Sequence, residues 1–325
     1  MTTTKSPDGS LRRHRIAIPG SRVLLRRKTA ALIAATALGA ACLTAMAAPA
    51  ATTSPGSEYV ALGSSFAAGA GLLPVDPADT GALCGRSLSA YPNLVAERLG
   101  LALKNATCGG ATIDNIVSVP QQLTDQNGTH SLAPQIQAVD TDTRLVTVTV
   151  GGNDVKYVTN LIAQACRGDL AANPQSEFGN LLSSLGACDA PSDAEVKTAL
   201  RGLRDEFVGM VRAVRSRAPQ ARIVLVDYLT ILPANGEPCA VLPIPEERQR
   251  FLLNVARELS LATRTAARHT GVEFVAASKE SRHHDVCSSD PWTTGYEASP
   301  TIMHPNTTGH AAVAGALIRQ LEGRL

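Results

Sequence analysis

Two serines end an apolar run near residue 60, in the stretch YVALGSSFAAG. A serine hydroxyl is a weak nucleophile until a nearby base accepts its proton and hydrogen-bond donors stabilise the oxyanion formed on the attacked carbonyl. Ser65 lies where the apolar run gives way to a helix or turn, so its hydroxyl can be reached. The alternative is that Ser64 and Ser65 only cap the next segment. Ser65 is favoured over Ser64 as the nucleophile, because only one of two adjacent residues can face a cleft.

A histidine that could serve as the base lies near the C-terminus, in the stretch TIMHPNTTGH. Pro305 restricts the backbone just after His304, so the imidazole is presented from a rigid loop. His310 is the second choice because it falls within the closing helical pattern. Two further histidines, the adjacent His283 and His284 in RHHD, are interpreted as part of a solvated loop, with metal binding as the alternative.

Two glycine-rich stretches supply donors for an oxyanion. VTVTVGGNDV contains Asn153, whose side-chain amide can point into a cleft, and NATCGGATIDN contains Gly110, where a substrate oxygen can closely approach a backbone N–H. Together with the N–H of Ser65 they predict an oxyanion hole with three donors. The alternative is that both stretches are ordinary turns, in which Gly, Asn and Asp are common.

Apolar runs and helical patterns alternate along the chain and must position these residues. The apolar runs cover residues 59–62, 101–104, 145–150, 222–226 and 272–275, and the helical patterns cover 91–99, 153–165, 193–218 and 246–270. Continuous apolar runs are typical of parallel strands covered on both faces. We therefore predict an α/β fold, a three-layer α/β/α sandwich with a central five-stranded parallel sheet. In such sheets the ligand site lies at the carboxyl ends of the strands.

Three long connections, residues 72–88, 170–191 and 232–245, are predicted to be loops that form the walls or a lid of a cleft, since connections of more than about 12–15 residues in a compact domain are usually functional. The single tryptophan, Trp292, is expected to line an acyl pocket or to pack in the core.

Residues 1–50 are predicted to be an export signal, cleaved near residues 47–50, so that residues 51–325 form one domain. A basic segment precedes a small, apolar run over residues 29–46, which is followed by two Ala-x-Ala sites. The alternative is an uncleaved membrane anchor. The signal holds 8 of the 30 basic and 1 of the 28 acidic residues, which leaves 22 against 27 and a mildly acidic mature chain. The overall charge therefore gives no argument for binding nucleic acid.

Six cysteines, an even number, remain after the predicted signal is removed. In an exported chain this predicts three disulfides, although the number of cysteines alone leaves about 15 connectivities open. The spacing argues against zinc because no two cysteines form the C-x-x-C pair that zinc sites favour. No metal or organic cofactor is expected.

The four blocks around Ser65, Gly110, Asn153 and His304 resemble those of the GDSL, or SGNH, hydrolase superfamily, in particular its secreted actinobacterial esterases and lipases with three disulfides. The resemblance extends from about residue 57 to residue 321. It implies that Ser65 is the nucleophile, that Gly110 and Asn153 complete the oxyanion hole and that His304 is the base. It also implies the pairings Cys84–Cys108, Cys166–Cys188 and Cys239–Cys287.

Two positions depart from the family pattern. Ser64 replaces the aspartate that usually precedes the nucleophile, and Thr301 replaces the acidic residue three positions before the histidine. Some members of this group are similar in orienting the histidine through a backbone carbonyl. The resemblance therefore implies that the Thr301 carbonyl holds Nδ1 of His304, with Asp285 and Asp290 as alternatives. Activity is expected to be lower than with a full triad, because no carboxylate stabilises the imidazolium.

The sequence thus predicts a secreted or envelope-associated serine esterase or lipase that cleaves lipid or short-chain acyl esters through an acyl-enzyme. It is expected to act as a monomer, without nucleic acid or an obligate protein partner. Sugar substrates are less favoured, because one Trp, five Tyr and five Phe offer few stacking surfaces. The alternatives are a carbohydrate acetylesterase on the same scaffold and a catalytically silent binding protein of the envelope.

Overall fold

The apolar runs of the sequence form a sheet of five parallel strands. The structure, a computed structural model, describes residues 54–78, 80–296 and 301–322, so the predicted signal over residues 1–50 lies outside the described residues. In order along the described chain, the strands are β1 (Glu58–Gly63), β2 (Ala102–Asn105), β3 (Gln121–Asp125), β4 (Gly128–Leu132), β5 (Thr143–Thr149), β6 (Arg222–Val226) and β7 (Glu273–Val275). β3 and β4 form a separate antiparallel hairpin.

The central sheet has the order β2-β1-β5-β6-β7, and every pair in it is parallel. In register, Ala61 on β1 lies beside Asn105 on β2 and Thr147 on β5. The carboxyl ends of β1, β2 and β5 therefore meet at one edge. The predicted five-stranded parallel sheet is confirmed.

Helices cover both faces of the sheet. Within the described residues they are α1 (Ser65–Ala68), α2 (Tyr91–Leu99), α3 (Ile113–Val117), α4 (Tyr157–Ala172), α5 (Glu177–Ser184), α6 (Asp193–Arg217), α7 (Glu246–Thr270), α8 (Ala277–Glu280) and α9 (Thr307–Glu322), with a 3-10 turn at Gln135–Ala138. Buried side chains of α4, α6 and α7 form one core, and those of α2 and α9 form the other. The predicted three-layer sandwich is confirmed.

Strand β1 shows why helices must cover both faces of the sheet. Val60 and Leu62 belong to the core on the α6 and α7 side, whereas Tyr59 and Ala61 belong to the core on the α2 and α9 side. All four are fully buried. Since burying a Val or Leu side chain contributes about 1.5–3 kcal/mol, a strand with apolar residues on both faces is stable only between two helical layers.

The helical and loop boundaries differ from the prediction in two places. The predicted helix over residues 153–165 begins later, at Tyr157, because the side chains of Asn153 and Asp154 bond to the backbone of the neighbouring loop. The predicted loop over residues 170–191 is partly wrong, since α4 runs on to Ala172 and α5 lies inside it. Ser176 caps α5 by accepting a hydrogen bond from the N–H of Gly179.

The disulfides join Cys84 to Cys108, Cys166 to Cys188 and Cys239 to Cys287, the pairings that the resemblance implied. Each ties one of the three long connections to another part of the described chain or closes it on itself. No helix of the described part is both long and apolar enough to cross a membrane.

Candidate active site

Ser65 is the first residue of α1, immediately beyond the carboxyl end of β1. The chain turns sharply there because Gly63 has φ = 140°, and a Cβ at this position would collide with the Thr149 carbonyl of β5. The same carbonyl accepts a hydrogen bond from Ser64 N–H at 2.9 Å. The glycine thus allows β1 to stay paired with β5 until the residue before the two serines.

A glutamine fixes this turn from a third element. Gln135, in the 3-10 turn, accepts a hydrogen bond from Gly63 N–H at 2.8 Å and donates one to the Gly63 carbonyl at 3.0 Å. Gln135 is buried, so both bonds are shielded from water. The backbone that carries the serines is therefore held by the sheet on one side and by this amide on another.

The two serines face different surroundings. Ser64 is 1% exposed, and its Oγ lies 3.1 Å from the hydroxyl of buried Tyr228. That hydroxyl also accepts a hydrogen bond from Gly152 N–H at 3.0 Å. Ser65 is only half-buried, and its Oγ lies 2.8 Å from Nε2 of His304. The structure therefore places Ser65 at a cleft beside a base and Ser64 in the core.

His304 is held on both ring nitrogens. Nδ1 lies 2.7 Å from the carbonyl oxygen of Ile302. Because a carbonyl oxygen can only accept a hydrogen bond, Nδ1 carries the proton and is the donor. Nε2 is then unprotonated and can accept the hydrogen of the Ser65 hydroxyl. This is the tautomer that a general base needs. Phe66 packs against the imidazole, with ring centroids 5.1 Å apart.

The expected role of the Thr301 carbonyl is wrong, because Ile302 provides the acceptor instead. The Thr301 carbonyl accepts a hydrogen bond from the hydroxyl of Thr294 at 2.6 Å, which removes it from the imidazole. Met303 adopts a left-handed conformation with φ = 57°, a sharp turn between the Ile302 carbonyl and His304 that lets them meet. Thr294 also accepts from His304 N–H at 3.2 Å and so holds this turn at both ends.

The acidic alternatives bond elsewhere. The carboxylate of Asp285 accepts a hydrogen bond from Cys287 N–H at 2.9 Å, and that of Asp290 lies 3.2 Å from Nδ1 of His284. Within the described residues, His304 therefore has a backbone carbonyl and no carboxylate at Nδ1. Burial lowers the pKa of His304, and the hydrogen bond to the Ile302 carbonyl opposes that shift. Since a backbone carbonyl carries no full negative charge that could support the imidazolium, burial favours the neutral ring, the form that a base needs.

The predicted oxyanion donors come from the loops after β2 and β5. Gly110 is exposed and has φ = 77°, a backbone conformation that glycine adopts without strain. Among the described residues, neither Gly110 N–H nor Ser65 N–H has a protein acceptor. Asn153 uses one amide hydrogen to bond the Ala111 carbonyl at 2.9 Å, which leaves the other free. Each of the three positions thus has one N–H available for an oxyanion.

These two loops are tied to each other and to the nucleophile turn. Asp154 accepts a hydrogen bond from Ile113 N–H at 3.0 Å, next to the bond from Asn153 to Ala111. Cys108 N–H donates to the Gly63 carbonyl at 3.0 Å. Burial raises the pKa of Asp154 to about 6, and Glu206 and Asp114 add to the rise. The donors therefore belong to one bonded network instead of three independent loops.

The other histidines lie in different surroundings. His310 is 1% exposed, and its Nδ1 accepts a hydrogen bond from Tyr91 N–H at 3.1 Å. His284 stacks on Trp292 with ring centroids 3.8 Å apart, and His283 accepts from the Arg282 guanidinium. Within the described residues no group of three potential metal ligands comes together. Trp292 packs against the core on the α2 and α9 side.

Sequence reasoning missed four residues that shape the site: Gln135, Tyr228, Thr294 and Ile302. Tyr228 had a detectable signal, because it follows β6 at the carboxyl edge of the sheet. Ile302 had none, because it acts through a carbonyl that every residue possesses. Gln135 lies 72 positions from Gly63, and Thr294 lies only 7 and 10 positions from Thr301 and His304, but no residue pattern marks these contacts.

A three-layer parallel α/β sheet with a hydrogen-bonded serine and histidine at its carboxyl edge, beside free N–H donors, defines the class of serine-type ester hydrolases. A family model described as GDSL-like lipase/acylhydrolase matches residues 61–312. The chain belongs to this family and is a carboxylic ester hydrolase.

Relatives within Streptomyces support this assignment. The chain is 34% identical over 301 residues to Lipase 2 of Streptomyces coelicolor, covering 89% of this chain and 95% of that protein. Its fold is similar to two crystal structures. The extracellular lipase from Streptomyces rimosus has a TM-score of 0.59 at 24% identity, covering 80% of this chain and 98% of that one. Phospholipase A1 from Streptomyces albidoflavus has a TM-score of 0.60 at 21% identity, covering 83% and 100%.

Proposed function

We propose that the protein is an exported serine esterase of acyl lipids, with Ser65 as the nucleophile and His304 as the general base. The observation that carries this proposal is the chain of two short hydrogen bonds, 2.7 Å from Ile302 to Nδ1 and 2.8 Å from Nε2 to Ser65. It supports a proton transfer from the serine hydroxyl to an imidazole in the correct tautomer.

In the first half of the reaction, Ser65 Oγ attacks the ester carbonyl carbon while its proton moves to Nε2 of His304. The carbonyl oxygen becomes an oxyanion and accepts hydrogen bonds from Ser65 N–H, Gly110 N–H and the Asn153 amide. When the tetrahedral intermediate collapses, the carbon–oxygen bond to the alcohol breaks and His304 returns the proton to that alcohol. The acyl group remains on Ser65 as an ester.

In the second half, water attacks the acyl-enzyme and gives one proton to His304. The same three donors stabilise the second oxyanion. Collapse of this intermediate breaks the bond to Ser65 Oγ, which regains the proton from His304, and a carboxylic acid leaves. The backbone carbonyl of Ile302 keeps Nδ1 protonated throughout, so it supports the tautomer without supplying the negative charge of a carboxylate.

The preference for lipid esters rests on two further observations. The relatives named above are described as lipases or a phospholipase, and the first of them covers nearly the whole chain. The chain also has few aromatic residues with which to stack sugars. We expect hydrolysis of acyl glycerides or phospholipids to be faster than release of acetate from acetylated xylan. Matched assays on these substrates, with acid release followed by titration, test this order.

Export is proposed from residues 1–50 together with the disulfides, which persist in oxidising compartments. We expect the mature protein to begin near residues 48–51 and to migrate as a monomer. N-terminal sequencing of protein recovered from the medium, followed by size-exclusion chromatography with light scattering, measures both. Retention of the full-length chain in the membrane fraction would support the uncleaved anchor instead.

Intact-mass spectrometry after exposure to a fluorophosphonate tests the nucleophile and the base. The wild type and Ser64→Ala should each gain one adduct, Ser65→Ala should gain none, and His304→Ala should react much more slowly. Circular dichroism of each variant checks that it is folded. Failure of folded wild-type protein to react would exclude an activated serine and favour the silent binding protein.

A further inference from the structure

A second pocket lies between helix α7 and the residues that follow β6. Its volume is about 340 Å³, within the range of about 300–1,000 Å³ that small-molecule sites occupy. Most of its lining is apolar. The buried part of the lining consists of Tyr157, Tyr228, Leu229, Ile231 and Leu232, and α7 contributes Leu253, Ala256 and Leu261. Leu261 is 42% exposed, so the apolar surface continues to the mouth of the pocket.

Two arginines of α7 line the same pocket. Arg257 and Arg264 are seven positions apart and lie on the same face of the helix, on either side of Leu261. Both are exposed, and neither has an acidic residue three or four positions away on the helix. Among the described residues neither guanidinium has a hydrogen-bonding or ionic partner. The pocket therefore combines an apolar lining with two unpaired positive charges.

Two other arginines of the same helix are paired. Arg248 bonds to Asp193 at 2.8 Å, and Arg250 bonds to Glu246 at 2.9 Å. A further arginine of α7, Arg268, is exposed and, among the described residues, has no acidic partner, but it does not line the pocket. Arg257 and Arg264 are therefore distinguished by their position beside the apolar lining, in addition to the lack of an acidic partner.

The carboxylate of Asp227 lies behind the pocket lining and is already hydrogen-bonded. Asp227 accepts hydrogen bonds from the hydroxyls of Ser260 and Ser278, each at 2.6 Å, and from Ser278 N–H at 2.9 Å. Ser260 and Ser278 line the pocket, whereas Asp227 is 2% exposed and lies behind them. The arginines are therefore available to an anion that enters from solvent.

We propose that this α7 pocket binds a free fatty acid, with the alkyl chain on the apolar lining and the carboxylate between Arg257 and Arg264. Guanidinium groups suit carboxylates because they donate two parallel hydrogen bonds. The choice of a fatty acid rests on the proposed function, since hydrolysis of an acyl lipid releases an anion of this kind. Neither Ser65 nor His304 lines the pocket in the part of the chain that the structure describes, so the acid bound here leaves the nucleophile free.

The test measures laurate binding to full-length mature Ser65→Ala protein by isothermal titration calorimetry, below the micelle concentration. One laurate should bind per chain. The double variant Arg257→Gln/Arg264→Gln, made in the same background, should bind at least about tenfold more weakly, as expected for loss of charged hydrogen bonds. Arg250→Gln is the matched control, because it removes a charge from the same helix outside the pocket, and its affinity should stay within about twofold. Dodecanol, which has the same chain without the charge, should bind at least tenfold more weakly than laurate.

Further measurements separate this proposal from the alternatives. Wild-type protein with Ser65 blocked by a fluorophosphonate should still bind laurate. Loss of laurate binding on blocking, together with no effect of the double variant, would place the acid in the ester site and overturn the proposal. Binding of anionic phosphatidylglycerol vesicles through Arg257 and Arg264 without binding of laurate would also overturn it and indicate a membrane surface. A protein that binds laurate as expected but does not react with the fluorophosphonate would overturn the proposed function and leave the pocket standing.

Discussion

Ser65 and Ser64 are adjacent in the chain, yet one belongs to an accessible cleft and the other to the buried core. Ser65 contacts His304 at a half-exposed cleft, whereas Ser64 is enclosed with Tyr228 in the core. The histidines show the same division. His304 has an acceptor on Nδ1 and a hydroxyl on Nε2, whereas His310 accepts from Tyr91 N–H and its buried Nε2 has no partner among the described residues.

The division shows how one backbone turn can serve both catalysis and stability. The polar groups of the core are tied mostly to one another or to the backbone, so they hold the strand ends in place. The polar groups of the cleft keep free positions, namely the N–H groups of Ser65 and Gly110 and one hydrogen of the Asn153 amide. Only these N–H groups of the cleft can donate hydrogen bonds to a reacting ester.

The largest expected effect separates the two serines. Ser65→Ala should lower kcat/KM by about 10⁴-fold or more, because the attacking atom is lost. Ser64→Ala should stay within about tenfold, because Ser64 only supports the turn through Tyr228. Initial rates on a soluble acyl ester measure both. Equal losses in the two variants would show that the regions are not separate.

A smaller effect separates the oxyanion donors from the core. Asn153→Ala should lower kcat by about 10²–10³-fold, as loss of one oxyanion donor does in other serine hydrolases. Tyr228→Phe leaves Gly152 N–H without its acceptor, so we expect a loss of stability of about 1–3 kcal/mol and less than a tenfold loss of kcat. Urea unfolding and steady-state kinetics on both variants give the two quantities. A larger kinetic effect for Tyr228→Phe than for Asn153→Ala would contradict the assignment.

The buried histidine should make stability depend on pH. Burial lowers the pKa of His310 to about 3, and the charge of His304 adds to the shift, whereas in the unfolded chain the pKa is about 6.5. The unfolded state therefore binds more protons between these values, and stability falls as the pH falls, by about 1.4 kcal/mol per unit. Between pH 6.5 and 5 the wild type should lose about 2 kcal/mol more than His310→Gln, measured by urea unfolding. If the free energy of unfolding changed equally with pH in both proteins, His310 would not be the group responsible.

The smallest effect concerns the pH profile of activity. The base must be neutral to accept the Ser65 proton, and burial lowers the pKa of His304, so the neutral form persists below the ordinary value. The acid limb of kcat/KM should therefore have its midpoint below about pH 6.5. A pH–rate profile on a non-ionising ester, corrected for unfolding, measures it. A midpoint above 6.5 would contradict the lowered pKa and indicate a negative charge near the imidazole beyond those of the described residues.

Much of the fold could be predicted because the decisive signals are local. The runs at β1, β5 and β6 are apolar on both faces, which only strands between two helical layers tolerate. Elements whose signals are weaker were not predicted. The hairpin of β3 and β4 is mostly polar and exposed, and α5 is short and lies within a segment that also contains Asn, Pro, Gly and Ser.

By itself the sequence determined the order of strands and helices and the placement of Ser65, Gly110 and Asn153 just beyond strand ends, because strand and turn preferences act over a few residues. Only the tertiary structure decided that Ser65, and not Ser64, faces His304, and that the Ile302 carbonyl, and not that of Thr301, holds the imidazole. The Thr301 carbonyl instead accepts a hydrogen bond from the hydroxyl of Thr294. The first choice joins groups 239 positions apart, and both depend on distances of a few tenths of an ångström that no residue pattern encodes.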